Sequence, residues 1–482
     1  MITRLNRSSL RTMGCGLILV AASWSAVGCA GGLPEARHED ALAPWRLAGL
    51  AEAAPSVETA DVRERVRELL GAPLTPETAV EVALLASPRM QATVEEFGVA
   101  RADLLQARLA TNPRLGLSAR WDPGSGGSTN TEWDIALDLL DALLTPLRAR
   151  VAAQEFEATR ARLGHQILEF VAEVRHAYFE FQAQEERVEL MRTATEATAA
   201  AAELAHRQRV AGATGGLALA QQEAFHAEEL LILARAEVQA LAARERLNRL
   251  LGLWGEAVRW EVSPRLPSPP ETEPTVERVE SLAVERRLDL EAARRERDAA
   301  EQALRLARRF RWFGFFEFGV SSERDTDGET VTGPHIGFDL PIFDRRQARL
   351  ARLEASLRRS EQRLTELAVD VRSEAREARL RLHAARDAVT FYREAVLPLR
   401  ERVVEETQLR YNAMLLGVYE LLQARRDQIN GGLAYIDALM DYWLARVELE
   451  RAAAGGLDGS ASVPSGPQEP ETAPAPHHEH TH

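Results

Sequence analysis

Residues 143–209 read as one nearly unbroken helical run, and that length constrains this chain more than any other feature. About 65 residues at ~1.5 Å each make a rod of ~100 Å. A compact domain of ordinary size has no room for it. Ile167, Phe170, Val174, Ala177, Tyr178 and Phe181 recur at spacings of three and four, so the rod has a packing face. The composition, dominated by Ala, Leu, Glu and Arg, suits such helices.

A second rod follows at an offset of about 200 residues, because the chain repeats itself. Ala83, Ala92, Glu96, Ala100, Leu104, Ala107 and Arg108 recur as Ala283, Ala292, Glu296, Ala300, Leu304, Ala307 and Arg308. Each half reads helix, two short strands, very long helix, Gly-marked turn, helix. In the first half, Thr75 is the N-cap and Pro76 the first residue of a helix running to about Thr111, where Asn112-Pro113 stops it. The long helix ends at a break over 211–216, and a helix over 217–251 follows. The second half places helices at 276–309, 346–410 and 418–453, with a break at 412–417 and a kink at Pro398. The implied divisions are 1–28 leader, 29–74 N-terminal linker, 75–253 first repeat, 254–274 connecting linker, 275–456 second repeat and 457–482 tail.

Between the helices the hydrophobic period drops to two. Leu115, Leu117, Ala119 and Trp121 alternate with Arg114, Gly116, Ser118 and Arg120; Trp133, Ile135, Leu137 and Leu139 alternate with Glu132, Asp134, Ala136 and Asp138. The second half supplies strands over 312–321 and 331–340, the first crowded by Trp312, Phe313, Phe315, Phe316 and Phe318. Segments of about 9 residues with one apolar and one polar face fit tilted membrane strands. The alternative is a pair of soluble hairpins capping a coiled coil. Four strands cannot close a barrel, and an open edge in lipid costs several kcal/mol per unpaired backbone group, so membrane-spanning strands require several copies of the chain.

The N-terminus carries Arg4, Arg7 and Arg11 before a short apolar run and Ala26-Val27-Gly28-Cys29. This resembles a lipoprotein leader with Cys29 as the acylated residue; an ordinary signal peptide cut nearby is the alternative. Cleavage before Cys29 removes three arginines and Cys15, taking the formal charge from −14 to −17 and leaving a single cysteine. That acidity argues against nucleic-acid binding.

Two tandem halves in this order resemble the outer-membrane factor (TolC) family. The residues that carry the resemblance are Gln106 to Pro113 at the helix-to-strand entry, Gly337 to Asp344 with Ala348-Arg349 at the exit from the last strand, and Arg410-Tyr411, Gly417 and Leu421-Leu422 at the far turn. The first of these is most similar to heavy-metal efflux members. The resemblance implies a mainly α protein with a transmembrane β-barrel: four strands per protomer, a homotrimer closing twelve strands, and a long-helix α-barrel in the periplasm. It implies a periplasmic adaptor (membrane fusion protein) and an inner-membrane pump of RND type as partners, with the outer membrane as location and no cofactor.

The same resemblance places Glu420 and Gln423 at the periplasmic gate, where family members carry acidic residues; only one carboxylate is retained here. Three Glu420 side chains meeting at a threefold axis would repel one another and attract cations; a solvated helix residue is the alternative. Arg114, Arg120, Glu132, Asp134 and Asp138 are expected to line the barrel lumen. Trp121, Trp133 and Trp312 are expected at the membrane interface. The tail ends in His477, His478, His480 and His482, a tract able to capture metal ions or to remain a solvated extension. No P-loop, His-Glu-x-x-His, nucleophile elbow or Cys-x-x-Cys occurs, so a passive duct is expected and an enzyme is not. The cargo reading is heavy-metal cations. The alternatives are the same channel for drugs or type I secretion, and a periplasmic coiled-coil scaffold without a pore.

Overall fold

A computed structural model describes residues 59–121, 129–271, 278–312, 314–325 and 327–454. A short helix α1 (Thr59–Leu69) leads into the first repeat: α2 (Pro76–Ala86), α3 (Pro88–Arg108), β1 (Arg114–Trp121), β2 (Thr129–Asp138), α4 (Leu139–Val210) and α5 (Gly216–Leu251). The second repeat is α6 (Val279–Arg286), α7 (Leu288–Arg309), β3 (Phe316–Arg324), β4 (Thr330–Phe338), α8 (Gln347–Phe391), a π turn (Tyr392–Val396), α9 (Leu397–Asn412) and α10 (Val418–Ala452). The 72 residues of α4 span ~108 Å.

The repeat extends to backbone detail that sequence comparison did not reveal. The helix expected over 75–111 is two helices, broken at Ser87 before Pro88, whose ring disfavours the helical conformation in the residue ahead of it. The second repeat breaks in the same place without proline. Arg287 takes φ −64° and ψ 125°, against −68° and 122° for Ser87. Here the break is held by side chains: the buried Arg287 guanidinium grips Asp289 at 2.6 and 3.1 Å and Glu374 at 2.5 Å. Thr75 caps α2 as expected, in a reciprocal pair with Thr78.

Both far turns close in one way. Gly212 and Met414 adopt positive φ, and the following amides of Ala213 and Leu415 bond back to the carbonyls of Gln208 and Arg410 at 2.8 and 2.9 Å. α5 ends with Gly252 at φ 70°, pressed against the α2–α3 break so closely that a Cβ would lie 2.6 Å from the Ala86 carbonyl oxygen. Near Pro398 the second long helix widens into the π turn Tyr392–Val396. Proline offers no N–H to the Glu394 carbonyl, and the ladder absorbs the defect by lengthening one turn.

Helix α4 is the spine. It packs against α3, α5, α7 and α10, while α8 packs against α7 and α10. All six of its expected core positions are buried. At mid-length a strap from the segment between the repeats is tied to one stripe of α4, spaced by four residues. The Tyr178 hydroxyl donates to the Leu74 carbonyl at 2.8 Å. The Gln182 amide donates to the carbonyls of Ser263 and Arg265, and Glu186 accepts from the Leu266 amide at 2.8 Å. Leu74 itself pairs with Val262. Trp260, fully buried, donates its indole N–H to Asn248 at 2.9 Å beneath the Arg244 guanidinium.

Candidate functional site: the sheet and the far turns

The four strands form one antiparallel sheet in the order β1-β2-β3-β4. All four helix-connected strand ends lie at one side, since β1 and β3 leave helices and β2 and β4 enter them. The register decides which residues share a face, because directly opposed residues point the same way. Leu115 opposes Ile135, which opposes Val320; Leu117 opposes Trp133; Leu137 opposes Phe318, which opposes Ile336; Phe316 opposes Phe338. These side chains make one continuous apolar face, much of it exposed in the single chain, with Leu117 at 77%. Two hydroxyls on that face, Ser322 and Thr332, satisfy each other at 2.8 Å.

The opposite face is polar. Arg114, Arg120, Glu132 and Asp134 lie there together, and Glu317, Glu323 and His335 join them from the second repeat. Glu132 and Glu323 stand directly opposed, a repulsive placement. It is offset by Arg120 at 3.3 Å from Glu132 and by the Asn130 amide donating to Glu323 at 2.7 Å. Glu317 accepts from Arg114 at 3.4 Å and lies 3.6 Å from His335. Gly116 and Gly319 leave room on this face, for a Cβ would overlap the Asp134 carboxylate at the first and the His335 ring at the second. Val331, opposite Glu323, and the small Ala136, opposite Arg114, are apolar residues on this face.

Two expected placements need correction. Asp138 is on the polar side by register, but its carboxylate caps α4, accepting from the Asp141 amide at 2.9 Å. The strand expected from Trp312 begins at Phe316. Trp312 therefore sits in the preceding turn with Arg311 stacked 4.5 Å from its ring, and it is not a strand-end residue. With the strand shortened, the aromatic crowding disappears: Phe316, Phe318 and Val320 share one face cleanly. Trp121 closes β1, and Trp133 lies inside β2. The polar residues of β3 and β4 were not singled out from sequence. Their alternation is masked by glycine at 319, 333 and 337, and only the register with β2 resolves it.

At the far turns, Glu420 lies exposed in the first turn of α10, its carboxylate folded back toward Gly417. Gln423 is exposed and donates to Asp427 at 3.1 Å; Asp427 also pairs with Arg400 at 3.1 Å. Cys29 and the histidines 477, 478, 480 and 482 lie outside the described residues. Among the described residues no group of three His, Cys, Asp or Glu could hold a metal ion, and no helix is long and apolar enough to cross a membrane.

Two long-helix repeats carrying an open sheet with one apolar and one charged face are the architecture this chain shares with solved outer-membrane channels. Residues 79–253 match the outer membrane efflux protein family. A similar protein is the cobalt-zinc-cadmium resistance protein CzcC of Cupriavidus metallidurans, 24% identical over 396 residues, which cover 80% of this chain and 91% of the relative. Among solved structures, CusC aligns with a TM-score of 0.68 at 16% identity, over 79% of this chain and 92% of its own. VceC of Vibrio cholerae aligns at 0.65 with 18% identity, over 80% and 97%.

Proposed function

We propose that three copies of this chain close a twelve-stranded barrel and form the outer-membrane exit duct of a tripartite efflux system for heavy-metal cations, fed by a periplasmic adaptor and an RND-type pump. The observation that carries the closure is the pair of free edges: β1 and β4 end the sheet on either side. The lateral helices agree. α5 lies against α4 and α9 against α10, and both flanks expose apolar residues, Leu231, Val238 and Leu241 on one and Leu399, Val403 and Leu409 on the other. A second copy would cover them. The metal reading rests on the likeness to CzcC.

In such a trimer the apolar face meets lipid, and Arg114, Arg120, Glu132 and Asp134 face water in the lumen. Mixed signs there make a conduit without strong ion selectivity. Glu420 narrows the periplasmic end, where three carboxylates at a threefold axis attract cations, and Gln423 keeps the ring weakly charged. Cys29 anchors the chain by an acyl group, and the terminal histidines collect metal at the far end of the chain.

Two measurements test the reading. Purified protein should run as a heat-resistant trimer and give stepwise conductance in a planar bilayer, with cation block altered by Glu420→Ala; an unchanged trace removes the gate role. A strain lacking the chain should become sensitive to zinc, cobalt or cadmium. Sensitivity confined to hydrophobic drugs would move the cargo to the drug-efflux alternative.

A further inference from the structure

The helix-side rim of the sheet is not alike in the two repeats. In the first repeat the connection from α3 to β1 is Leu109 to Pro113, without a charged residue. In the second, α7 ends in Arg308-Arg309 where α3 ends in the single Arg108, the connection to β3 opens Phe310-Arg311-Trp312, and that from β4 to α8 includes Leu340, Ile342, Phe343 and Arg345-Arg346. The two connections lie side by side. The Asp339 amide donates to the Phe315 carbonyl at 3.3 Å, and Arg346 donates to the Gly314 carbonyl at 3.0 Å.

Their apolar side chains are turned outward: Phe343 is 92% exposed, Leu340 69%, Ile342 61% and Trp312 48%. Interleaved cations stand free. Arg308 is taken by Glu354 at 2.6 Å. Among the described residues, however, no carboxylate lies within ion-pair reach of Arg309, Arg311 or Arg345, all exposed. Arg311 and Arg309 are instead steadied over the rings of Trp312 and Phe310, at 4.5 and 5.8 Å. The nearby carboxylates are engaged locally, Asp344 accepting from the Arg346 amide at 2.7 Å and Asp339 lying against Gly314.

On a chain of formal charge −14 this is an unusual concentration of unpaired positive charge, and it sits where helices give way to membrane strands. We infer that this rim binds the anionic headgroups of phospholipids in the periplasmic leaflet. Phe343, Ile342 and Trp312 enter the headgroup boundary, and Arg309, Arg311 and Arg345 meet lipid phosphates. Exposed phenylalanine and isoleucine beside water would be costly, whereas at that boundary both the apolar and the cationic groups find partners. Threefold symmetry would set three such patches around the barrel. The inference rests on the transmembrane reading of the sheet.

The test uses the full-length chain in lipid nanodiscs, with phosphatidylglycerol and phosphatidylethanolamine competing for the protein and bound lipid counted by native mass spectrometry. Each arginine is worth about fivefold in favour of an anionic surface, so wild type should prefer phosphatidylglycerol by tenfold or more. The triple variant Arg309→Gln, Arg311→Gln, Arg345→Gln should lose that preference and still form the heat-resistant trimer. A control of equal charge change far from the sheet, Arg359→Gln, Arg402→Gln, Arg410→Gln, should keep it. Absence of a preference in wild type, its persistence in the rim variant, or equal loss in the control overturns the inference while leaving the channel intact. Failure to enter discs of either lipid overturns the transmembrane reading and this inference with it.

Discussion

Leu117→Arg separates a membrane sheet from a water-exposed one. Leu117 lies near the middle of β1, on the apolar face opposite Trp133, and is 77% exposed in the single chain. Its side chain therefore has little packing within the subunit to lose. If the face meets water, an arginine there is a surface substitution worth less than ~0.5 kcal/mol in either direction. If it meets lipid, a guanidinium near the bilayer midplane costs ~2–4 kcal/mol per chain, roughly 30-fold to 1,000-fold in the folding equilibrium. The neighbouring residue supplies the control. Ser118 points to the polar face, 3.3 Å from the Glu132 carboxylate, where an arginine gains a counter-charge. The assay is urea-dependent folding into phospholipid vesicles, followed by tryptophan emission and by the heat-resistant electrophoretic form. Leu117→Arg should lower stability by about 2 kcal/mol or more, and Ser118→Arg should leave it near wild type. Equal tolerance of both, or a greater loss at Ser118, would refute the assignment of faces.

Gly252→Ala should destabilise by about 2 kcal/mol or more, since φ is 70° and the new methyl would lie 2.6 Å from the Ala86 carbonyl oxygen; a melting temperature unchanged within error would contradict this. Arg287→Met strips the cation from Asp289, whose carboxyl burial would push up but which Arg287 and His165 hold below its ordinary value. The expected loss is about 3–5 kcal/mol at neutral pH, shrinking as acid protonates Asp289, because a depressed carboxylate stabilises the fold only while ionised. Denaturation at pH 7 and near pH 3 checks both the size and the sign. Burial, together with the Glu77 charge, pushes Tyr178 up to about 12 from 10.0. Stability should therefore be intact below pH 10 and fall by about 2–3 kcal/mol as pH rises through 12, an effect absent in Tyr178→Phe and readable from alkaline denaturation curves.

Much of this architecture was legible as periodicity. The 3.6-residue spacing of Phe170, Val174, Tyr178 and Phe181 marked the core stripe of α4, and all are buried. The period-two run of β1 grouped its residues by face as the register does, because Arg114, Leu115, Leu117, Arg120 and Trp121 differ clearly in polarity. Where polarity is blurred, periodicity does not resolve the strands. Glycines hid the polar face of β3 and β4, and a cluster of aromatics moved the expected start of β3 from 316 to 312. The split at Ser87-Pro88 carries a local signal in its proline; the matching split at Arg287 carries none.

The sequence by itself determined the order of elements, the twofold internal repeat and the two-sided character of the strands. These follow from backbone propensity and side-chain spacing, which are properties of neighbours along the chain. Only the tertiary structure decided that β2 pairs with β3 across the repeats, that Glu132 stands against Glu323, that Arg287 holds a helix break through Glu374, and that the two connections flanking the β3–β4 hairpin form one basic rim. Each of those joins residues from different elements, so their energies exist only once strands and helices have packed: across the repeats for β2 with β3, and within the second repeat for Arg287 with Glu374 and for the rim.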